Sequence, residues 1–436
     1  MRTLAVVLTD QFPYEVGEEF FEQELPFLSR AVSDILVIPV RLEEGAKKTR
    51  ALPKNTVSIL PAKRYVNNKL LRIIKYLPRI LFSSERMVNW FQFSHPIRVL
   101  IDLVFASNSY DVYHRILPQL KRFDFGKYDS VVLYSYWFYT GVSVARQLQR
   151  GPLKSIPSFI ISRGHAYDID EDDTPYGYIP CRPYLLKIVD RVFPISNYAA
   201  KFITERYPKY RQKVQVRRLG VLAKSGEIRQ KPDGTPVLVS CSHMADYKRV
   251  PLIIDTIAAL EKRGISVRWL HIGESNAKLL EKTRRYAESR IKKSEVELLG
   301  YVPNSKVREL YQTTPVTTFV NASNGEGVPV SIMEAQAAGI PVVATDAGGT
   351  SEIVHDGENG MIVPVDISPD EFASALEKVF NLSSDCYRSW SQNAIDTWRE
   401  YSDASRQYQK FSQEVAVLAQ KCVRESRIPN CVNPKK

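Results

Sequence analysis

The stretch "VTTFVNASNGEGVPVSIMEAQAAGIPVVATD", Val316 to Asp346, decides how the chain is read. A β-branched run leads into a glycine-bearing loop, then an apolar run at helical spacing, then a second short β-rich run. That is the order strand, loop, helix, strand of a parallel βαβ unit. Two acids, Glu326 and Glu334, stand eight residues apart within it. Eight helical residues leave an angular offset of about 80°, so two helical acids at this spacing would not share one face. Glu326 is therefore expected in the loop and Glu334 inside the helix, each reaching a different part of one elongated ligand. Pro329 suits the first helical turn, where its missing N–H costs nothing. Gly325 and Gly327 let the backbone approach a ligand, and the amides of a helix N-terminus favour an anion. A carboxylate accepts from vicinal hydroxyls, the natural contact to a sugar or a ribose. Outside this setting the two acids would read as a first-turn dipole partner and a surface helix residue.

The same alternation runs through most of the chain. Strand-like runs occur at 4–10, 34–40, 129–137 and 158–165, and again at 236–243, 267–274, 296–302, 316–321, 341–346 and 360–365, with helical patterns between them. This rhythm predicts an α/β protein with doubly wound parallel sheets, whose ligands sit beyond the carboxyl ends of the strands. A length of 436 residues is too great for one ordinary core. The polar stretch "AKSGEIRQKPDGTP" (223–236) has no apolar period and marks the boundary. The expected layout is a Rossmann-like domain over 1–222, a linker over 223–235 and a second Rossmann-like domain over 236–390. A C-terminal helix over 391–419 packs back on the first domain, the tail 420–436 is frayed, and the two domains face a cleft.

Composition narrows the class. The chain is 44% hydrophobic and 25% charged, as in globular proteins. Its five cysteines are scattered and lack any C-x-x-C pair, which suits a reducing compartment and argues against a zinc site. The apolar run Leu4–Leu8 is too short for a signal sequence and reads as a first strand. No stretch has the length of a membrane span, so a cytoplasmic location is expected. A net charge of +12 implies anionic company, but the basic residues are dispersed and form no nucleic-acid motif. Nucleic acid is not an expected partner.

Residues 64–121 break the alternation. Leu70, Leu71, Ile73, Ile74, Leu77, Ile80 and Leu81 form an apolar stripe at helical spacing, interleaved with Lys69, Arg72, Lys75 and Arg79. Two readings stay open. One is a basic amphipathic helix on an anionic membrane surface, contacting lipid through Lys69, Arg72 and Lys75. The other is a helical insertion packed on the first domain with solvated cations.

With its glycines and prolines, the opening stretch resembles family 4 of the retaining glycosyltransferases, which have the GT-B fold. The resemblance implies that Glu326 contacts the donor sugar, that Gly327, Val328 and Pro329 offer backbone groups to it, and that Glu334 holds the nucleotide ribose. "CSHMADYKRV" (241–250) resembles the family's diphosphate segment, with Lys248 at the Lys position. His243 stands where the family has an Arg, a departure for which Arg249 or another cation is expected to compensate. "LHIGES" (270–275) and "LLGYVPN" (298–304) resemble the next two strand ends, which implies donor contacts near Gly273 and Val302.

In the first half, "TDQFPYEVGEEFFEQEL" (9–25) resembles the family's first loop, with Gly17 at the close approach. "SRGHAYDIDEDD" (162–173) resembles its His-Gly-x-Asp segment, with Ala166 replacing the glycine. His165 then touches the donor sugar near the reacting centre, and Asp168 lies at the cleft. The whole-chain resemblance is to the bacterial exopolysaccharide branch, including the colanic-acid type. It implies transfer of a sugar with retention from a UDP- or GDP-sugar to a lipid-linked oligosaccharide or surface polysaccharide. No metal and no other cofactor are expected: "DID" (168–170) sits in an acidic loop, and the histidines show no metal-binding spacing. A nucleotide-sugar epimerase on the same fold, or a non-catalytic membrane-associated sugar-binding partner, are the alternatives.

Overall fold

The computed structural model describes residues 1–15, 17–63, 68–90, 94–121, 123–165, 167–172, 174–274 and 276–427. Ala166, Ser275 and residues 428–436 of the expected frayed tail lie outside the described residues. The chain divides into two units, Met1–Arg217 with the segment from Tyr408 onward, and Arg218–Gln407.

The first unit runs β1 (Thr3–Thr9), α1 (Glu19–Ala31), β2 (Asp34–Pro39), β3 (Thr56–Ser58), α2 (Lys69–Leu81), α3 (Pro96–Leu120), β4 (Ser130–Ser135), α4 (Thr140–Arg150), β5 (Ser158–Gly164), α5 (Arg182–Ile188), β6 (Arg191–Pro194) and α6 (Asn197–Arg206). Its six strands are all parallel in the order β3-β2-β1-β4-β5-β6. β1 and β4 are buried at every residue, because a parallel strand covered on both faces needs a continuous apolar run rather than alternation.

The second unit runs β7 (Val237–Cys241), α7 (Val250–Lys262), β8 (Arg268–Ile272), α8 (Ala277–Arg290), β9 (Glu295–Leu298), α9 (Asn304–Thr313), β10 (Thr318–Asn321), α10 (Val330–Ala337), β11 (Val342–Thr345), β12 (Gly360–Val363), α11 (Pro369–Phe380) and α12 (Ser384–Thr397). Its sheet, read from the other edge, is β9-β8-β7-β10-β11-β12. Each unit therefore repeats the doubly wound order 3-2-1-4-5-6, in which the chain changes direction between the first and fourth strands. Trp269 of β8 is fully buried, and its indole N–H donates to Ser240 Oγ (2.9 Å), so its polar atom is satisfied within the core.

Three expectations are corrected. The expected linker is a strap on the second unit: Arg229 donates to the carbonyls of Ala338 (2.8 Å), Thr314 (3.0 Å) and Tyr311, and Gly226 N–H to that of Ala337 (2.7 Å). The expected helix over 391–419 is α12, a π-type turn over Trp398–Ser402 and α13 (Ala404–Arg427). Extended Asp403 breaks it where Val221 N–H reaches the Ser402 carbonyl (2.9 Å). The unit boundary then falls inside α13, whose Phe411, Val415 and Ala419 join the first unit's core with Phe21, Leu25 and Tyr134.

Residues 64–121 hold α2 and α3 in the crossover from β3 to β4. Arg72 of α2 is only 5% exposed, so it faces the interior and not a lipid surface. Ile73, Tyr76 and Ile80 share that buried face, whereas Leu70, Leu71, Ile74 and Leu81 stand exposed.

Candidate functional site

In the second unit the strand order reverses between β7 and β10, and the segments leaving these two strands carry the predicted donor residues. Glu326 lies in the β10–α10 loop and Glu334 within α10, as their spacing predicts. α10 begins at Val330, one residue later than expected. Pro329 precedes it, and its carbonyl accepts from the amides of Ile332 (3.2 Å) and Met333 (3.3 Å). Gly327 and the buried Val328 complete the turn.

Lys248 follows β7, and its Nζ lies 2.5 Å from Glu326 Oε1. Asn321 at the end of β10 donates to the same oxygen at 3.3 Å. Sequence reasoning missed Asn321, although a polar residue ending an apolar strand at the reversal point is a usable signal. Gly348, with φ of 56°, packs so closely on the loop that a side chain there would collide with the Glu326 carbonyl. That explains the first glycine of the Gly-Gly after β11. A cation, an amide and a helix N-terminus thus meet around one carboxylate, an arrangement suited to a phosphorylated, hydroxyl-bearing ligand.

Glu334 is 8% exposed and 3.8 Å from Arg308 of α9. Its carboxyl is pushed up to about 7 by burial, against the opposing pull of Arg308. Arg249 does not stand beside Lys248 as a free cation. Its guanidinium donates to the carbonyls of Ala322 (2.6 Å), Val365 (2.5 Å) and Ser323 (3.3 Å), clamping the loop that carries Glu326. His243 is exposed, with Nδ1 2.9 Å from the Glu274 carbonyl. Gly273 closes the β8 end, where a side chain would strike the Ser242 carbonyl. Val302 is half-buried beyond β9.

The first unit builds its own cluster where β1 and β4 diverge. The Glu18 carboxylate accepts the amides of Asp10 (2.8 Å), Gln11 (2.9 Å) and Phe12 (2.7 Å) and the Trp137 indole N–H (2.9 Å). Gly17, with φ of 115°, turns the chain into it. Trp137 in turn packs on the His165 ring at 4.2 Å, and Tyr136 at 4.8 Å. His165 is buried, and neither ring nitrogen has a hydrogen-bond partner among the described residues. Nδ1 lies 3.6 Å from Asp168 Oδ2, beyond hydrogen-bond length.

Asp168 is structural in its contacts, accepting the amides of His165 (2.7 Å) and Phe138 (2.8 Å). Burial would raise its carboxyl, but the neighbouring His165 and these amides hold it below its ordinary value. Nothing in the local sequence marks Glu18 or Trp137, because their role is to pull together segments 119 residues apart.

A 950 Å³ cavity lies in the same unit, lined in part by Asp10, Arg41, Lys69 and Arg72. Asp10 pairs with Arg41 at 3.2 Å. Its carboxyl is pushed up to about 6, first by burial and then by Glu18. Lys75 is exposed and lies over the Tyr76 ring at 4.9 Å. Among the described residues no group of three or more His, Cys, Asp or Glu side chains is placed to hold a metal ion. No helix there is long and apolar enough to cross a membrane.

Residues 224–397 match the family model described as glycosyl transferases group 1. The fold of the chain is that of the GT-B glycosyltransferases. The structure of the lipopolysaccharide outer core galactosyltransferase WaaB matches with a TM-score of 0.65 and 17% identity, over 96% of this chain and 99% of that one. Anabaena HepE in complex with UDP matches with a TM-score of 0.60 and 13% identity, over 96% and 100%. In sequence the chain is 28% identical over 233 residues to the putative colanic acid biosynthesis glycosyltransferase WcaL of Salmonella typhimurium, covering 51% of this chain and 55% of that protein. It is 24% identical over 211 residues to the amylovoran biosynthesis glycosyltransferase AmsK of Erwinia amylovora, covering 47% and 49%. The matches thus span about half the length of these curated relatives.

Proposed function

We propose that the protein is a retaining, metal-independent glycosyltransferase of exopolysaccharide biosynthesis. It moves a sugar from a UDP- or GDP-sugar to a lipid-linked oligosaccharide or growing surface polysaccharide. The observation that carries this reading is the convergence of Lys248, Asn321 and Glu326 beside the N-terminus of α10, at the reversal point of the second sheet. The names of the relatives support the polysaccharide class, and the UDP in the HepE complex fits the donor class.

In this reading Glu326 positions the sugar hydroxyls, Lys248 and the backbone at Gly327–Pro329 hold the diphosphate, and Glu334 holds the ribose. The bond from the anomeric carbon to the phosphate oxygen breaks while the acceptor oxygen attacks from the same face. The acceptor proton passes to the departing phosphate oxygen. Lys248 stabilises the charge on that leaving group, and the rest of catalysis is positioning. His165, sheltered by Trp137 and with ring nitrogens that have no hydrogen-bond partner among the described residues, contacts the donor sugar. The exposed apolar face of α2, with Lys69 and Lys75, supports a position on the inner surface of the cytoplasmic membrane.

The test is a thermal-shift panel of nucleotide sugars, since a ligand that binds only the folded state raises its stability. It is followed by an assay of nucleoside diphosphate release. One donor should stabilise the protein and be slowly hydrolysed, with Glu326→Ala abolishing release. Binding of no nucleotide sugar would sink the reading, and donor turnover into an isomer without acceptor would make the protein an epimerase.

A further inference from the structure

We infer that Lys248 and Glu326 form a latch that makes the site select an intact nucleotide sugar over the nucleoside diphosphate left after transfer, with Asn321 holding Glu326 once the latch opens. This deepens the function proposed above and rests on that reading for the identity of the ligands.

The two charges that would serve neighbouring parts of a donor are paired with each other. Lys248 Nζ lies 2.5 Å from Glu326 Oε1, and the side chains are only 15% and 9% exposed, so little water screens the pair. A diphosphate that draws Lys248 to itself must take it from the carboxylate. A nucleoside diphosphate bears the loss of that ion pair and gains nothing from the released Glu326. An intact donor recovers it, because sugar hydroxyls donate to the freed carboxylate. After transfer the sugar has left, Glu326 competes again for Lys248, and the diphosphate loses its cation and departs.

The surroundings decide which partner moves. The loop of Glu326 is fastened from several sides. Arg249 donates to the carbonyls of Ala322 and Ser323, the Asn324 amide to that of Tyr247 (2.9 Å), and the Gly349 amide to that of Gly327 (3.1 Å). Asn321 holds the carboxylate itself. Its Oδ1 accepts the Ser323 amide at 2.9 Å, which leaves Nδ2 turned to Glu326 Oε1 at 3.3 Å. Asn321 is buried at the end of β10, so its amide stays where the strand puts it. Lys248 carries its ammonium on a long flexible stem, which beyond Glu326 meets the half-exposed Tyr247 ring at 4.9 Å. The lysine is therefore the member that swings.

The experiment titrates UDP and GDP into the full chain by calorimetry, for wild type, Glu326→Gln, Lys248→Met and the double variant, with circular dichroism to confirm folding. With the diphosphate that binds better, Glu326→Gln should bind about tenfold more tightly than wild type. In the Lys248→Met background the same change should gain less than about twofold, because there is no lysine to release. Equal gains in both backgrounds would mean plain repulsion by the carboxylate. A larger gain with Lys248→Met would mean a lysine that bridges carboxylate and phosphate, and no gain in either would mean no competition. Each of these overturns the proposal, as does failure of wild type and Glu326→Gln to bind either diphosphate.

Two further measurements do not depend on those variants. Wild type should bind whichever of UDP-glucose, UDP-galactose and GDP-mannose stabilises it more tightly than the matching diphosphate, and no preference or the reverse order would overturn the selection. Asn321→Ala should weaken that nucleotide sugar about tenfold and leave the diphosphate within about twofold. Equal losses for both ligands would make Asn321 a structural residue and remove it from the latch. Nucleoside diphosphate release, measured on the same samples, keeps the two readings apart. A cycle that fails while release persists counts against the latch alone, and a cycle that holds without any turnover counts against the transferase alone.

Discussion

Glu334 shows how burial sets a candidate ligand-binding residue against stability. Its carboxyl titrates at about 7 in the folded protein against 4.5 in the unfolded chain, chiefly because α10 buries it. Between those values the folded state holds the extra proton, so stability falls as pH rises from about 4.5 to 7 and is level above that. The penalty has a ceiling of about 3 kcal/mol. Glu334→Gln removes the ionisation, so its melting temperature should rise relative to wild type as pH goes from 5 to 8, while its nucleotide affinity falls. A melting difference that does not change with pH would show that Glu334 is solvated. At Lys248 the expectation is kinetic. Lys248→Met should lower turnover about 10²–10³-fold, the range for removing one preorganised charge-stabilising donor, with a smaller change in donor affinity. A change in KM alone would place the lysine outside the transition state.

At the scale of elements, α2 is where the sequence left two readings open and the fold gives each a face. Ile73, Tyr76 and Ile80 pack inward as an ordinary insertion would, and Leu70, Leu71 and Ile74 face outward. The periodicity could not separate the faces, because the apolar set is too wide for one side of a helix. Flotation with anionic vesicles at low salt tests the outward face. Leu70→Ser with Ile74→Ser should abolish co-flotation, and Lys69→Glu with Lys75→Glu should weaken it, as expected of cations near an anionic surface. Vesicle binding that neither pair alters would exclude α2 as the contact. Arg72→Glu is a different experiment, because it places an acid where a buried guanidinium now lies, and its expected result is loss of stability.

For the whole molecule, the first unit is tied together by a buried ion pair. Arg163 of β5 meets Glu24 of α1 at 2.6 Å with both side chains fully buried. Tyr134 of β4 donates to the same carboxylate (2.8 Å), and Phe411 of α13 lies 4.1 Å beneath the guanidinium. Removing one partner leaves an uncompensated buried charge, so Glu24→Ala should cost about 3–5 kcal/mol in a denaturant titration. Glu24→Leu combined with Arg163→Met should recover much of that loss. A double variant as unstable as the single one would mean that the pair is worth more than an apolar replacement.

Much of this architecture was legible beforehand. The strand runs and the loop-and-helix division of Glu326 and Glu334 follow from periods of two and 3.6 residues, which are local properties of a chain. The short edge strands β3 and β6 gave too little periodic signal to stand out. The break at Asp403 depends on pairing with Val221, which no local pattern encodes. The sequence by itself therefore determined the alternation, the parallel sheets and the candidate donor segment, because burial of a repeating apolar face dictates them. Only the tertiary structure decided that Lys248 meets Glu326 across 78 residues and that Arg249 is spent on the loop. It also decided that Trp137 shelters His165 and that Arg72 turns inward. Those outcomes depend on which strand ends the 3-2-1-4-5-6 order brings side by side, and on where the core closes over a charge. Neither is a property of any window of sequence.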